Sequence, residues 1–206
     1  MKKYEFTGET KRVELWNRTA TLHRIKATVE FGFVKVGELG GWIEKEENLS
    51  HEGKAWVCGD AKVWGNAKVW GNAKVWGNAN VCGDAKACGD AKVCGDAKVC
   101  GDAKVCGDAK VCGDAKVCGN AKVCGDAEVF LASHVLVMGS VGSRNDFTTF
   151  FRDKDNEITV KCGCFLGKID KFLEKVTQTH GNNKYALVYR AAVEVAKLQI
   201  ELTERK

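Results

Sequence analysis

The chain has 206 residues, of which 45% are hydrophobic, so it is long enough to bury the core of one domain or one capped repeat array. Its formal net charge is only +5 and no segment is strongly basic, which argues against a nucleic-acid partner. With 23 glycines and no proline, the composition excludes a proline-rich linker and favours regular tight turns. No signal-peptide stretch and no apolar run of membrane-helix length stand out, so we expect a cytoplasmic protein without a membrane partner.

Residues 1–48 predict an N-terminal β cap. The stretches "YEFTGETKRVEL" and "ATLHRIKATVEF" alternate polar and apolar residues as strands do. Trp42 and Ile43 are available to cover the first coil of the repeat that follows. Leu49 falls in the frame of that repeat, so we expect the winding to begin near it.

Residues 49–143 are built on six-residue phrases such as "VCGDAK" and "VWGNAK". Val returns at every sixth position from Val57 to Val141, and only Ala87 breaks the series of fifteen hexads. A period of six is divisible by two, which places Val and Ala on one face of a strand, and Gly-Asp or Gly-Asn then supplies a corner. Three hexads close a triangular turn of 18 residues, so the sequence predicts a mainly β solenoid of about five coils.

Residues 144–206 predict a C-terminal cap with a hairpin, whose turn lies at residues 153–156, and two helices. The first helix places Ile169, Phe172, Leu173 and Val176 on one face and ends at Gly181. The second is apolar around much of its girth, which exceeds what one flank of a solenoid covers. We therefore expect a homo-oligomer, a dimer or trimer, that associates through Tyr185, Leu187, Val188, Val195, Leu198 and Leu202.

The iterated "V-x-G-[DN]-A-K" resembles the hexapeptide-repeat proteins, and this resemblance implies a left-handed parallel β-helix. The best-known members of that class are acyltransferases, often trimeric. The flanking "LHRIKA…GELGGWIEKEENLS" and "VKCGCFLGKIDKF…THGNNKYA" are similar to a group of small hexapeptide-repeat proteins from bacteria and their phages. The likeness covers almost all of the chain and implies the fold, and a phage-encoded origin would place the protein in a host cytoplasm.

His134 is the candidate catalytic base of the acyltransferase hypothesis, since such enzymes use a histidine beside the solenoid wall and bind coenzyme A between subunits. It replaces a lysine in an outward slot of the repeat, where the alternative is an exposed residue of a decaying last coil. The hexads run without the long external loop that those enzymes fold over the acceptor. We therefore favour a non-enzymatic protein without a cofactor.

The eleven cysteines pose a separate question. Cys162 and Cys164, with His180 as a third ligand, are candidate metal ligands, but the spacing lacks the two-residue gap and second pair of a structural zinc site, so a hairpin edge is the favoured alternative. The repeat cysteines fall into outward columns with a period of 18 residues. Because in-register side chains point the same way, we expect mostly reduced thiols that act as small surface fillers.

Three tryptophans and their neighbouring lysines are the candidate binding residues. Trp64, Trp70 and Trp76 form a girdle around one coil, one on each side, where either a partner or the N-terminal cap covers them. Lys62, Lys68 and Lys74 accompany them beside acidic corners, as a solvated face or as a rim for a phosphate-bearing ligand. We expect a binding protein that holds or sequesters a protein partner or a small molecule. An acyltransferase and a purely structural assembly protein are the alternatives.

Overall fold

The hexads wind into a parallel β-solenoid in the computed structural model, which describes residues 2–15 and 18–202. Two long strands and a shorter one come first: β1 Tyr4–Glu14, β2 Thr19–Ala27 and β3 Leu39–Ile43. The two-residue strands of the repeat follow: β4 Trp56–Val57, β5 Lys62–Val63, β6 Lys68–Val69, β7 Lys74–Val75, β8 Asn80–Val81, β9 Lys86–Ala87, β10 Lys92–Val93, β11 Lys98–Val99, β12 Lys104–Val105, β13 Lys110–Val111, β14 Lys116–Val117, β15 Lys122–Val123 and β16 Glu128–Val129. The last elements are β17 Val135–Val141, β18 Asp146–Arg152, β19 Ile158–Cys162, β20 Phe165–Lys168, α1 Ile169–His180 and α2 Lys184–Gln199.

The repeat strands form three parallel sheets, one for each side of the coil. Face 1 contains β3, β5, β8, β11 and β14; face 2 contains β6, β9, β12 and β15; face 3 contains β4, β7, β10, β13 and β16. Partners in one face are 18 residues apart, as Val75, Val93 and Val111 are in face 3. The predicted solenoid of about five turns, with mainly β structure, is therefore confirmed.

Valine and alanine fill the interior of the solenoid. From Val57 to Val129 the residues in these two slots are at most 1% exposed and belong to one continuous hydrophobic cluster. Lysine lies between them in sequence and points outward, because successive side chains of a strand alternate between its two sides. The interior is therefore narrow and dry, and ligand chemistry is confined to the outer faces and the two ends.

The corners depend on glycine. Gly77 has φ +69°, in the left-handed region that favours glycine, and a Cβ added there would lie 3.0 Å from the backbone nitrogen of Gly95 in the next coil. Beside the corner, the side-chain amide of Asn78 donates a hydrogen bond to the carboxylate of Asp96 at 3.2 Å. Equivalent Asn–Asp hydrogen bonds occur on the other two edges. The coil with Asn at its corners is thus hydrogen-bonded to the next coil, which has Asp at its corners, and two carboxylates are not stacked there.

The winding begins and ends earlier than the repeat frame alone predicts. Parallel pairing already starts in β3, where Trp42 pairs with Lys62, and Leu49 bridges to Val69. At the other end the last strand of the solenoid is β16. Val135 and Val141 occupy the Val slot in sequence, but they lie in β17, which pairs antiparallel with β18. The fifteen-hexad count is therefore wrong by its last two members, because β17 has the same two-residue alternation as the repeat.

The predicted N-terminal strands are present and form an antiparallel hairpin, and β3 joins this hairpin to face 1. β1 pairs with β2, and β2 pairs with β3. Ile43 is fully buried in the solenoid cluster, while Trp42 packs with Ala20 and Leu22 between the hairpin and the solenoid. The hairpin thereby covers the start of face 1.

The C-terminal cap is a four-stranded antiparallel sheet, β17-β18-β19-β20, covered by α1 and α2. The predicted hairpin corresponds to β18 and β19. Neighbouring side chains of β18 enter two different cores: Phe151 joins the solenoid cluster, and Phe150 joins the cap cluster with Phe172. The predicted first helix ends at Gly181 with φ +57°, and its apolar face is buried as expected, with Leu173 packed at the margin. No helix within the described ranges is long and apolar enough to cross a membrane.

Candidate ligand cleft on the third face

A loop from the N-terminal cap overhangs face 3. Phe31 and Val34 exchange backbone hydrogen bonds of 3.1 and 2.9 Å, which closes the loop into a tight turn around Gly32. The ring of Phe31 meets the ring of Trp56 edge-on, with 5.3 Å between centroids. This contact anchors the loop to β4, the first strand of the face.

The space between this loop and face 3 is a cleft of about 1020 Å³. One side is aromatic or apolar, and the solenoid side carries a column of ammonium groups. Its apolar lining is Phe31, Phe33, Val34, Trp56 and Trp76, and its lysines are Lys54, Lys74, Lys92 and Lys110. Three carboxylates, of Glu38, Asp90 and Asp108, also line it, so the four ammonium groups leave a net charge of +1.

Two features distinguish the residues that line the cleft. The indole of Trp56 is 4% exposed, and its Nε1–H has no hydrogen-bond acceptor in the described part of the chain. A buried N–H without an acceptor is unfavourable by about 1–3 kcal/mol. Phe33 is 87% exposed at the rim, and the ammonium of Lys74 lies 4.4 Å from the centre of its ring. An aromatic ring and a cation are thus presented together to solvent.

A buried lysine supports the base of the loop. The ammonium of Lys3 donates to the backbone oxygen of Ala55 at 2.8 Å and lies 4.9 Å from the centre of the Phe31 ring. Burial lowers the pKa of Lys3 to about 8, because removing an ammonium from water disfavours its charged form. Burial likewise raises the pKa of the Cys58 thiol, which lines the cleft, so this cysteine is kept protonated.

The six predicted binding residues are distributed one pair to each face. Lys74 and Trp76 lie together in the face-3 cleft. Trp64 is half-buried against Trp42 and Leu22 beneath the N-terminal hairpin, so the cap is what covers it. Lys62 is carried by β5 on the same face 1.

Face 2 carries the third pair in a more polar setting. Lys68 lines a groove of about 840 Å³ among other lysines and acidic corners, with no aromatic side chain in its lining. Trp70 follows β6 on this face and is half-buried. The hexads "KVWGNA" at 68–73 and 74–79 are therefore identical in sequence but different in surroundings.

His134 is buried, contrary to the outward position predicted for it. It lies in a one-turn 3-10 helix, Ala132–His134, is 6% exposed, and its Nδ1 accepts the amide of Phe130 at 3.2 Å. Burial and the nearby Arg152 guanidinium lower its pKa, so the ring is held neutral. The chain has left the repeat frame by this point, and the histidine closes the end of the solenoid instead of facing an acceptor.

The cysteines and histidine considered as metal ligands have other contacts. Cys162 accepts a hydrogen bond from Thr148 at 3.3 Å, Cys164 is exposed, and His180 stacks on Tyr189 with 5.8 Å between centroids. Among residues 2–15 and 18–202, no group of three or more Cys, His, Asp or Glu is arranged to hold a metal ion.

Two pairs in the cysteine columns form disulfides. Cys94 is bonded to Cys112 and Cys100 to Cys118, with Cα separations of 4.5 and 4.6 Å. The side chains of in-register cysteines point the same way, but at this spacing these two pairs are nevertheless bonded. The other seven cysteines are free, so the expectation that most thiols stay reduced holds.

The second helix divides its apolar residues between two sides. Ala186, Tyr189, Ala192, Val193 and Ala196 are buried in the cap. Most of the predicted oligomerisation residues lie on the outer side: Leu187 and Leu198 are 58% and 90% exposed, and Val188, Val195 and Leu202 are 40–45% exposed. Tyr185, the sixth, is half-buried.

Several cleft residues were missed by the sequence reasoning. Trp56 occupies the slot that carries lysine in most of the other hexads, since "AWVCGD" aligns with "AKVWGN", and this exchange was a readable signal. Phe31 and Phe33 lie in a loop without periodicity, so their approach to face 3 could be found only from the folded chain.

Comparison with known proteins adds no functional assignment. No protein-family model matches the chain, and a search of curated proteins gives no significant match.

Proposed function

We propose that this β-solenoid protein acts by binding, and that its ligand site is the cleft on face 3. The ligand is a small molecule with a flat apolar portion and an anionic group of the phosphate type. Phe31, Phe33 and Trp76 offer aromatic surface for the flat portion. The ammonium groups of Lys54 and Lys74 suit the anion.

The observation that carries this proposal is the meeting of exposed aromatic surface and ammonium groups in one cleft, as at Phe33 and Lys74, where the ammonium lies 4.4 Å from the ring centre. Ligand sites typically combine apolar walls with a few polar groups that fix orientation. The grooves on faces 1 and 2 are lined by lysine and acidic corners without aromatic side chains.

The test uses the identical hexads on faces 2 and 3 as a matched pair. Native mass spectrometry of freshly purified protein would identify a retained ligand, and adenosine monophosphate serves as a probe followed by tryptophan fluorescence. We expect Lys74→Ala and Trp76→Leu each to weaken binding by about tenfold or more, since a charge-assisted contact or stacking surface is lost. Lys68→Ala and Trp70→Leu should stay within about twofold of the unmodified protein.

Equal losses of binding affinity for the face-2 and face-3 variants would contradict the assignment of the ligand site to the cleft. The assignment would also fail if the protein neither bound adenosine monophosphate nor retained a small molecule on purification. A purified protein that instead retains a polypeptide would favour the protein-partner alternative. Inorganic phosphate alone as the best ligand would contradict the role of the aromatic wall.

We also propose that the outer side of α2 pairs with a second copy of the chain. Val188, Ala191, Val195 and Leu198 are spaced by three and four residues, which forms a continuous exposed stripe of the kind that packs helix against helix. Light scattering should show a dimer or trimer that dissociates in Leu198→Asp. Val36→Asp, at an exposed site in the N-terminal cap, is the control and should leave the assembly intact. A monomeric unmodified protein would contradict the proposal.

A further inference from the structure

A third column of cysteines runs along face 2 with all of its thiols free. Cys88, Cys106 and Cys124 follow β9, β12 and β15, whose residues pair in register from coil to coil. The amide of Cys88 donates to Val105 and that of Cys106 donates to Val123, each at 3.0 Å. The three thiols therefore occupy equivalent positions on successive coils.

The other two columns show what this spacing permits. Cys94–Cys112 and Cys100–Cys118 have the same separation of 18 residues, and both pairs are disulfide-bonded. Cys106 and Cys124 have the same relationship on face 2. All three thiols of the column are half-buried, so a small reagent can reach them from solvent.

The surroundings distinguish Cys106 from its neighbours. Interaction with the Cys124 thiol, the ammonium groups of Lys161 and Lys104 and, to a smaller extent, the Cys88 thiol lower the pKa of Cys106 below that of a free thiol, although burial opposes this. The hydrogen bond with Cys106, together with burial, raises the pKa of Cys124. Cys106 therefore becomes the thiolate first, and the thiolate is the nucleophilic form.

We propose that Cys106 and Cys124 form a thiol–disulfide exchange site whose substrate is a low-molecular-weight, anionic disulfide. The Cys106 thiolate attacks one sulfur of the substrate, and a mixed disulfide forms as the first thiolate leaves. Cys124 then gives up its proton and attacks Cys106, which expels the second thiolate. The net reaction converts the protein dithiol and one substrate disulfide into a protein disulfide and two small thiols.

This proposal is independent of the face-3 cleft. Its product is a third covalent link between coils, on the one face where the structure has none. The lysines beside Cys106 favour an anionic disulfide such as oxidised glutathione, because their charge attracts it to the thiolate.

Oxidised glutathione is the probe, added to protein as purified. Trypsin releases an identical VCGDAK peptide from four hexads, whereas the Cys124 peptide, residues 123–144, is unique. We expect a VCGDAK peptide linked to residues 123–144, absent from Cys106→Ser, with two glutathione molecules released per link. In the Cys88→Ser, Cys124→Ser double variant the reaction should stop with one glutathione retained on Cys106.

Cys58 is the matched control, because it is a half-buried free thiol whose next column member is Trp76. Its peptide, residues 55–62, is also unique and should gain glutathione about tenfold more slowly than Cys106 reacts. Equal rates for Cys58 and Cys106 would overturn the proposal. Retention of glutathione by the unmodified protein without a link, or a link from Cys106 to Cys88 alone, would also overturn it.

Discussion

The solenoid and the C-terminal cap bury their cores in opposite ways. The solenoid repeats Val and Ala along three faces, so each residue meets its equivalent in the next coil. The cap instead gathers Phe150, Phe165, Phe172 and Tyr189 from different strands and helices into one aromatic cluster. Stability is therefore spread evenly along the solenoid and concentrated at a few positions in the cap.

The two regions also have separate optical reporters. All six tryptophans lie at or before residue 76, and the two α-helices within the described ranges are both in the cap. Trp42, Trp56 and Trp64 lie in the clusters that join the N-terminal cap to the first coils, so tryptophan fluorescence follows that end of the molecule. The helical circular-dichroism signal follows the C-terminal cap. A mutation can be assigned to one region by comparing the two unfolding curves.

The largest effect is expected from Asp153→Asn in the cap. The Asp153 carboxylate is 3% exposed, and it accepts from Lys168 and Thr159 at 2.6 Å each and from the amides of Asp155 and Glu157. Asn carries no charge and has only one acceptor oxygen, so the charge-assisted hydrogen bonds to this buried carboxylate are weakened or lost. Because Lys168 keeps its contacts with Asp155 and Glu157 at 3.3 and 2.8 Å, we expect a loss of up to about 3 kcal/mol in the free energy of unfolding. The helical signal should shift to lower denaturant while the fluorescence curve moves less. Glu174→Gln, in an exposed pair with Lys171, is the control and should change stability by less than about 0.5 kcal/mol.

The same substitution has a defined pH dependence. Burial would raise the pKa of Asp153, but the hydrogen bonds from Lys168, Thr159 and Glu157 outweigh it and hold the pKa below the usual carboxyl range. A lowered folded-state pKa gives stability that is complete above the unfolded value, about 4, and is lost as pH falls through the folded value. The difference in free energy of unfolding between the unmodified protein and Asp153→Asn should therefore become smaller below pH ~4. If this difference stayed constant as the pH fell through the folded-state pKa, the carboxylate would not be stabilised by its hydrogen bonds as described.

An intermediate effect is expected at the corners of the solenoid. Gly77 and Gly119 both have φ near +65°, but a Cβ at Gly77 would meet Gly95 of the next coil, whereas a Cβ at Gly119 has nothing within 4 Å. Gly119→Ala should lower the free energy of unfolding by about 1–2 kcal/mol, which is the cost of holding a residue with a Cβ in the left-handed region. Gly77→Ala should lower the free energy of unfolding by about 1 kcal/mol more, because its Cβ also crowds the next coil. Denaturant unfolding measures both losses. Equal losses would show that the neighbouring coil moves aside without cost.

The smallest effect is expected at Ala87, which interrupts the valine series. It is fully buried between Val69 and Val105 on face 2. Ala87→Val restores the side chain found at the equivalent position of its neighbours, and the added apolar burial should raise the free energy of unfolding by up to about 1 kcal/mol. A decrease measured by the fluorescence curve would mean that adjacent side chains already occupy the space.

The fold was predictable wherever a pattern repeats. The six-residue period fixes which side chains face inward, and the Gly-Asp and Gly-Asn pairs fix the corners, so Val57 to Val129 could be placed from sequence alone. The apolar face of α1 and its end at Gly181 followed from local rules in the same way. These features need no knowledge of distant contacts.

The remaining features depend on contacts between parts of the chain that are remote in sequence. His134 fits an outward slot only if the winding continues, but the chain turns into a 3-10 helix before the last two hexads of the frame. The cleft requires Phe31 to reach Trp56 across a loop without a pattern. Predicting the disulfides required the separation of particular cysteines within a column. The general spacing of strands gives that separation only approximately.

The sharing of β18 between two cores has a consequence for the geometry of the whole molecule. Phe151 closes the solenoid while Phe150 holds the cap, so the cap is attached to whichever coil comes last. Twelve hexads separate Val57 from Val129, and each hexad turns the chain by about 120° and advances it by roughly 1.6 Å. The number of hexads therefore sets the angle between the face-3 cleft and the outer side of α2. Gaining or losing one hexad would rotate these two surfaces by a third of a turn with little change in length.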